Sequence, residues 1–159
     1  MKILIAYAGK TGTSEKCAGI LEKKLPNATT IDLNKESANA SEYDLIIVGG
    51  SIRMGMLNSK VKKFIRKNKN ILKTKKCAYY ICCGFADNYK SYFEKNISKT
   101  LLDEAIIYDT FGGQMNISEQ KGLDKFITKL VQKTKEGKKA PEILYENIDN
   151  FVQKINEII

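Results

Sequence analysis

The amino-acid sequence predicts an α/β fold in which helices cover both faces of a parallel sheet. Short apolar runs alternate along the chain with segments long enough to form helices. Two of these runs, Leu45–Val48 and Ala78–Cys82, are continuously apolar, as is typical of strands buried on both faces of a parallel sheet. Between them, apolar residues recur three and four positions apart, which gives each helix one packing face.

Five apolar runs are the predicted strands. They are Ile3–Ala8, Thr30–Leu33, Leu45–Gly49, Cys77–Cys83 and Ala105–Tyr108. Three helical stripes are expected to pack on the sheet: Val61, Phe64 and Ile65; Leu123, Phe126, Ile127, Leu130 and Val131; and Ile148, Phe151, Val152, Ile155 and Ile158. Pro26 is expected to end the first helix and Asn147 to cap the last one.

The most informative segment follows the first predicted strand. Here the chain reads Gly9-Lys10-Thr11-Gly12-Thr13-Ser14, a loop of glycines and hydroxyls that opens into a helix. The first amides of a helix have no partner within it, and the helix dipole favours an anion at that end. With the hydroxyls of Thr11, Thr13 and Ser14, these amides suit one terminal monophosphate, and flavin mononucleotide (FMN) fits them best.

Two other nucleotide sites fit this loop poorly. Gly9-Lys10-Thr11 copies the end of the triphosphate-binding pattern, but the first glycine of that pattern would fall on Leu4, inside the strand. The dinucleotide fingerprint needs three glycines, and only Gly9 and Gly12 are present, with Asp32 as the sole candidate for its acidic residue. The sequence therefore favours a monophosphate.

Ligands of open parallel sheets bind beyond the carboxyl ends of the strands, so the loops after the third and fourth strands also matter. We expect Gly49–Met56 to be a loop whose Ile52, Met54 and Met56 flank an aromatic ring. The alternative is an ordinary loop that tucks Met54 or Met56 into the core. Cys83–Tyr89 offers aromatic residues that either stack on the ring or pack at a helix start. A further glycine pair, in Phe111–Met115, is placed to close the rim.

The formal net charge is +9, which predicts a basic surface. Basic clusters lie at Lys60–Lys63, Arg66–Lys67, Lys73–Lys76 and Lys133–Lys139. They are either solvated helix faces or surfaces that attract an acidic protein, an anionic membrane or a carboxylated substrate. We expect no nucleic-acid partner, because no aromatic residues are interleaved with a basic recognition element.

Four cysteines and no histidine limit the chemistry. Cys17, Cys77, Cys82 and Cys83 lie in apolar surroundings without metal-ligand spacing, so they are expected to be reduced core residues and to bind no metal. The alternative is a reactive thiol at Cys82 or Cys83. Without histidine the usual general base is missing, which favours cofactor chemistry, and no side chain is assigned a catalytic role.

Length and the absence of long apolar runs predict the organisation of the chain. At 159 residues, with two prolines and no low-complexity tract, residues 1–159 are expected to form a single domain. No run approaches the roughly 20 apolar residues that span a bilayer. Met1-Lys2 leads directly into a strand without a signal-peptide pattern, so we expect a cytoplasmic protein.

These motifs resemble those of flavodoxin-type domains, and more narrowly of the flavodoxin-like group that includes menaquinone-dependent protoporphyrinogen oxidases. The resemblance covers most of the chain. It rests on Tyr7–Ser14, on Gly50-Ser51-Ile52-Arg53-Met54-Gly55, on Phe111-Gly112-Gly113 and on the helix entry at Tyr145-Glu146-Asn147.

The resemblance implies a flavodoxin-like three-layer sandwich with a five-stranded parallel sheet of order 2-1-3-4-5. It places the FMN phosphate on residues 9–14 and the ring between residues 51–56 and 83–89. The implied cofactor-binding residues are Gly9, Lys10, Thr11, Gly12, Thr13, Ser14, Ser51, Ile52, Arg53, Met54, Gly55, Cys83, Gly84, Phe85, Asn88 and Tyr89. The guanidinium of Arg53 is expected either to lie near the flavin and raise its potential or to face solvent or its own loop.

This chain departs from the family pattern at three places. Gly9 replaces the usual first hydroxyl of the phosphate loop, and Met54 replaces an aromatic residue. After the fourth strand, the chain passes from Phe85 to the helix near Tyr89 without the basic, proline-containing insertion of the oxidases. Flavodoxins themselves are strongly acidic, whereas this chain is basic.

Three functions follow from these observations. The first is an FMN-dependent oxidoreductase that passes two electrons from a reduced substrate to a quinone or a redox protein. The second is a one-electron carrier that moves between protein partners and has no substrate pocket. The third is a flavin-free binding or regulatory module. The element Ser51-Ile52-Arg53 favours the first.

Overall fold

A computed structural model of the chain describes residues 1–113 and 141–159. The strands are β1 (Ile3–Ala8), β2 (Ala28–Asp32), β3 (Leu45–Arg53), β4 (Met56–Leu57), β5 (Lys76–Cys82) and β6 (Tyr108–Thr110). The α-helices are α1 (Thr13–Lys24), α2 (Ser59–Lys67), α3 (Lys69–Leu72), α4 (Tyr89–Asn96), α5 (Lys99–Asp103) and α6 (Tyr145–Asn156). Short 3₁₀ turns lie at Ala40–Glu42 and Ala86–Asn88.

Five strands form a parallel sheet in the order β2-β1-β3-β5-β6. Counted among the parallel strands alone, this is the predicted order 2-1-3-4-5, which is therefore confirmed. The short strand β4 pairs with the end of β3 in antiparallel fashion. Because the strand order reverses between β1 and β3, the carboxyl ends of these two strands border the crevice where such sheets bind ligands.

The helices pack on both faces of the sheet. On one face, α1 and α6 cover a core that includes Leu21, Ile47 and Phe151. The other face is covered by α2 to α5, over a core that includes Phe64 and Phe93. The predicted stripes of α2 and α6 pack in these cores. The predicted stripe at Leu123–Val131 lies outside the described residues.

Four of the five predicted strands have other bounds in the structure. The second begins two residues earlier, at Ala28, and the fourth is Lys76–Cys82. The predicted loop Gly49–Met56 is wrong in its first half, because β3 continues to Arg53, where it pairs with β4. The last strand is Tyr108–Thr110 rather than Ala105–Tyr108. Residues 105–107 are apolar because they pack against the core, whereas the regular pairing with β5 begins at Tyr108.

The ends of two helices test the predicted boundary signals. Helix α1 ends at Lys24, and Leu25 is extended just before Pro26, as predicted. The predicted cap at Asn147 is wrong, because α6 begins two residues earlier, at Tyr145. The Asn147 amide instead donates a 2.9 Å hydrogen bond to the carbonyl of Thr110. This side chain ties the last helix to the last strand.

The glycine pair after β6 joins this strand to the segment before α6. Gly112 has a φ of +66°, and a Cβ there would lie 2.2 Å from the carbonyl oxygen of Glu142. Gly112 forms an antiparallel bridge with Ile143, and the Gly113 amide donates to the Glu142 carbonyl at 3.1 Å. Only glycine suits this close approach of two backbones. Gln114 and Met115, the other residues of the predicted rim, lie outside the described residues.

The ring of Tyr80 fills the space above Gly49. A Cβ at Gly49 would lie 1.9 Å from Cζ of Tyr80, so no larger residue fits there. The Tyr80 hydroxyl donates a 3.0 Å hydrogen bond to the backbone carbonyl of Ser14, and its ring stacks on Phe111 at 4.6 Å. One buried side chain thus joins β5, β3 and the first turn of α1.

No helix within residues 1–113 and 141–159 is both long enough and apolar enough to cross a membrane.

We predict that Gly49→Ala destabilises the fold by about 2–3 kcal/mol, because the added methyl overlaps the Tyr80 ring. Gly19→Ala is the matched control, since a Cβ at Gly19 meets nothing within 4 Å. The free energy of unfolding of the control is expected to rise by roughly 0.5–1 kcal/mol, because alanine favours a helix more than glycine does. Urea unfolding of both variants measures this, and equal stabilities would contradict the packing role of Tyr80.

Candidate functional site

The predicted site residues gather at one edge of the sheet. β1, β3 and β5 are neighbours, and the loops that follow them leave from their carboxyl ends. The structure thus brings residues 9–14, 51–55 and 83–89 to the same edge, as expected. Their contacts with a cofactor stay a prediction.

The loop after β1 presents free amides to this edge. Gly12 has a φ of +86°, and α1 begins at Thr13, so the loop turns sharply into the helix. The first backbone bond of the helix runs from the Lys16 amide to the Gly12 carbonyl at 2.9 Å. Within the described ranges, the amides of Thr13 and Ser14 have no backbone acceptor. An anion at this end would accept from them and meet the positive end of the helix dipole.

Ser14 is the buried polar side chain of this loop. It is 1% exposed, and its Oγ lies near the Cys82 thiol but has no partner with hydrogen-bond geometry among the described residues. A Cβ at Gly9 would lie 2.9 Å from this Oγ, so the glycine leaves the space that the serine occupies. The Ser14 hydroxyl therefore lies beside the position from which a side chain at residue 9 would project. An unpaired buried hydroxyl costs about 1–3 kcal/mol, which a phosphate oxygen would relieve.

The loop is held from the side by the segment after β2. The Asn34 amide side chain donates to the Gly9 carbonyl at 3.1 Å, and its backbone amide donates to Oδ1 of Asp32 at 2.9 Å. The Leu33 amide donates to the Tyr7 carbonyl at 2.8 Å. Asn34 was not among the predicted site residues, because a single asparagine in a polar segment carries no distinguishing signal. Asp32, considered above for a dinucleotide, instead orders Asn34.

The second loop is a tight hairpin between β3 and β4. Met54 and Gly55 have φ values of 51° and 75°, as in the two-residue turn of a type I′ hairpin. Asn96 of α4 fixes this turn: its Nδ2 donates to the Gly55 carbonyl at 2.9 Å, and its Oδ1 accepts from the Leu57 amide at 3.0 Å. The sequence gives no sign of Asn96, which lies 41 residues from Gly55.

The hairpin turns its methionines outward. Met54 is 73% exposed and Met56 is 41% exposed, so neither tucks into the core. Ile52, by contrast, packs against the core on the α2 face. The two thioethers are therefore accessible at the edge of the candidate site.

Ser51 and Arg53 lie on the opposite face of β3 from Ile52, because side chains alternate along a strand. Ser51 pairs in register with Cys82 on β5. Its Oγ is buried and, among the described residues, has no hydrogen-bond partner. The candidate site thus contains a second unpaired hydroxyl, on the same face of the sheet as α1. Arg53 is half-buried beside it.

The third loop begins where β5 ends. Its first residue, Cys83, donates its amide to the Gly112 carbonyl at 2.9 Å. Gly84 and Phe85 are half-buried and Asn88 is exposed. Tyr89 starts α4 and packs edge-on against Phe93, with ring centroids 6.4 Å apart.

Thr110 fixes the base of this third loop. Its Oγ1 accepts from the Gly112 amide at 3.1 Å and lies 3.4 Å from Sγ of Cys83. Thr110 is 2% exposed, so the contact is buried. Thr110 was not among the predicted site residues, because the predicted fifth strand ended before it, at Tyr108.

The four cysteines are free and buried, which confirms that they are core residues. Sγ of Cys17 and Sγ of Cys82 lie 3.8 Å apart. Their shared hydrogen bond lowers the pKa of Cys17, whereas that bond and burial raise the pKa of Cys82. Burial also raises the pKa of Cys83, and that of Cys77 to about 11. Cys82 and Cys83 are therefore protonated at neutral pH, which disfavours a reactive thiolate at either position.

The sequence and the fold both have known relatives. Residues 4–142 match a family model described as a flavodoxin domain. The protoporphyrinogen IX dehydrogenase (quinone) of Escherichia coli K12 is 24% identical over 175 residues, covering 98% of this chain and 94% of the relative.

Two solved structures share the fold. A flavoprotein from Lactobacillus acidophilus NCFM in complex with FMN has a TM-score of 0.56 at 13% identity, covering 69% of this chain and 92% of that chain. The oxidised flavodoxin 1 of Bacillus cereus has a TM-score of 0.53 at 18% identity, covering 100% of this chain and 99% of that chain. Both similarities concern the fold.

The half-buried carboxyl of Asp109 on β6 predicts how the stability of the fold changes with pH. Burial raises the pKa of its carboxyl, although the Thr110 amide donates to it at 2.7 Å. The folded chain therefore keeps this proton at a pH where the unfolded chain has lost it. Between the pKa of Asp109 in the unfolded chain and its higher pKa in the folded chain, rising pH lowers the free energy of unfolding. Above the higher pKa, burial of the charged carboxylate destabilises the fold to its full extent.

Asp109→Asn keeps Oδ1 and removes the ionisation. Its stability relative to the parent chain is expected to increase as the pH rises from about 3.5 to about 7. Urea unfolding at several pH values measures this difference. A difference that stays constant with pH would show that Asp109 titrates alike in both states.

Proposed function

Because the chain belongs to the flavodoxin domain family, we propose that it binds FMN at the carboxyl edge of its sheet and works as an FMN-dependent oxidoreductase. The observation that carries this proposal is the Ser14 hydroxyl, buried and unpaired at an α1 terminus whose first amides have no backbone acceptor among the described residues. Such a set of donors at a helix N-terminus matches a terminal monophosphate.

The residues of the first loop would hold the phosphate. The amides of Thr13 and Ser14 and the Ser14 hydroxyl supply neutral donors, and the exposed Thr11 supplies another hydroxyl. Gly9 and Gly12 let the backbone approach the anion closely. The hydrogen bond from Asn34 holds the loop in place before the ligand arrives.

The ring would lie between the second and third loops. Ser51 offers its unpaired hydroxyl to a polar edge of the ring, and Arg53 brings a positive charge to the same face of β3. The exposed thioether of Met54 and the half-buried Phe85 supply apolar contact. Bound FMN supplies the chemistry itself, which is the acceptance and donation of one or two electrons.

The similarity to a quinone-linked dehydrogenase supports the oxidoreductase over the simple carrier, because it covers 98% of this chain. In this role the enzyme takes two electrons from a reduced donor, which is a substrate or a redox protein, and two protons from that substrate or from solvent. It passes both electrons and both protons to a quinone, or the electrons to a redox protein and the protons to solvent. Four free cysteines fit work in a reducing compartment such as the cytoplasm.

The proposal is tested by loading the chain with FMN, removing the excess and reducing the sample stepwise without oxygen. We expect a retained flavin spectrum and a single two-electron stage. Two separate one-electron stages would favour the carrier, and loss of FMN on desalting would contradict both.

Arg53→Ala is expected to lower the midpoint potential of bound FMN, since the positive charge favours the added electrons. Arg66→Ala, on the exposed side of α2, is the control and is expected to leave it unchanged.

Ser14→Ala separates binding from folding. The variant is expected to bind FMN roughly ten- to a hundred-fold more weakly, because a hydrogen bond to a charged group is lost. Without FMN its stability is expected to stay equal or to rise by about 1 kcal/mol, because a buried unpaired hydroxyl is removed. Calorimetry and urea unfolding measure the two effects.

Ser98→Ala is the matched control, since Ser98 is exposed and its side chain caps no helix. This change is expected to leave FMN affinity unaltered. If Ser14→Ala lowered stability without lowering affinity, Ser14 would be a packing residue and the phosphate site would be misplaced.

A further inference from the structure

The positive charge of this chain is concentrated in one segment. Of the 27 lysines and arginines, ten lie between Leu45 and Ala86, and none of the 18 acidic residues does. The other 117 residues carry 17 basic and 18 acidic side chains, which nearly cancel. The formal net charge of +9 therefore comes from residues 45–86, which run from the start of β3 to just beyond β5, since the charges of the other residues nearly cancel.

Half of these ten cations lie on α2. They are Lys60, Lys62, Lys63, Arg66 and Lys67, here called the α2 basic face, and all five are exposed. An open groove at this helix is lined by Ser59, Lys60, Lys62, Lys63 and Arg66. The apolar side of α2 is buried in the core. The helix thus presents only its cationic side to solvent.

In the part of the chain that the structure describes, no neighbouring carboxylate neutralises these cations. Elsewhere in the described residues, lysines do form ion pairs, such as Lys24 with Asp149 at 2.9 Å and Lys154 with Glu157 at 3.0 Å. Within residues 1–113 and 141–159, no cation of the α2 basic face has an ion-pair partner. An ordinary solvated helix face mixes both signs of charge, and this one does not.

The α2 basic face adjoins the candidate site. α2 begins directly after the β3–β4 hairpin, and its N-cap, Asn58, donates its backbone amide to the Ser51 carbonyl at 3.0 Å. The exposed Met54 and Met56 lie on the same hairpin, between the site residues of β3 and the start of α2. An exposed apolar point next to a charged rim is the usual make-up of a protein–protein contact.

The composition of this surface favours a protein over a membrane or a nucleic acid. An amphipathic helix that binds lipid must insert its apolar side, and that side of α2 is buried. Single-stranded nucleic acids stack on exposed aromatic rings. Among the described residues, the large exposed apolar side chains near α2 are Met54 and Met56, and neither is aromatic.

We propose that the α2 basic face and the Met54–Met56 hairpin form the docking surface for an acidic electron-carrier protein that exchanges electrons with the flavin site. This proposal rests on the proposed function. Each encounter transfers one electron from a reduced iron–sulfur carrier, which is thereby oxidised, so two encounters complete a two-electron reduction with protons taken from solvent. Charge attraction over a small contact gives fast, salt-dependent association.

The test uses a plant-type ferredoxin, a small acidic iron–sulfur protein, as the probe. Calorimetric binding and the anaerobic rate of flavin reduction are measured at about 20 mM and about 300 mM salt, where screening differs strongly. We expect binding at low salt that is lost at high salt. The double variant Lys60→Glu/Lys63→Glu is expected to lower the reduction rate at least tenfold.

The control reverses two charges on the other face of the sheet, Lys23→Glu on α1 with Lys154→Glu on α6, and so changes the net charge equally. It is expected to keep most of the ferredoxin rate. Equal losses in both double variants would overturn the proposal, because net charge alone would then explain them. Ferredoxin binding that α2 charge reversal leaves intact would overturn it as well.

Two measurements separate failure of docking from failure of the flavin site. FMN retention and reduction by dithionite report on the site without any protein partner, and ferredoxin binding to the FMN-free chain reports on the surface alone. Sedimentation with phosphatidylglycerol vesicles tests the other anionic partner. Vesicle binding that depends on Lys60 and Lys63, without ferredoxin binding, would overturn the proposal in favour of a membrane.

Discussion

The contact between Tyr80 and Gly49 positions the rest of the site. The ring lies where a side chain of β3 would otherwise project, and its hydroxyl reaches the Ser14 carbonyl in the first turn of α1. The position of α1 along the sheet is thereby fixed, and with it the direction in which the amides of Thr13 and Ser14 point. The proposed phosphate site needs donors that are in place before the anion binds, and the buried tyrosine provides that order.

Much of the fold follows from the sequence because burial on both faces gives parallel strands a distinctive composition. The run Leu45–Val48 was readable for this reason. The stripe of α6 was readable from apolar residues three and four positions apart, and the first loop from its glycines and hydroxyls. The extension of β3 to Arg53 was not, because it depends on pairing with two residues of β4. Asn96 was also out of reach, since its role arises from a contact between distant parts of the chain.

The candidate site contains buried hydroxyls that have no partner among the described residues. Two hydroxyls, on Ser14 and Ser51, are buried at the sheet edge without partners among the described residues, although a core of this kind normally satisfies its polar groups. Family patterns place hydroxyls in this region, but they do not show which ones lack a partner. In this chain a side chain at residue 9 would meet Oγ of Ser14, so the glycine at position 9 and the buried serine at position 14 depend on each other.

The main-chain bonds around Gly112 affect which part of the chain can change during evolution. Residues 111–113 and 142–144 are joined by main-chain hydrogen bonds, Gly113 to Glu142 and Leu144 to Phe111, together with the Gly112–Ile143 bridge. These bonds involve no side chain from residues 114–140, so the ends of that stretch meet whatever its sequence. Evolution can thus change the sequence or the length of the chain between residues 113 and 142 while these main-chain bonds keep β6 joined to the segment before α6.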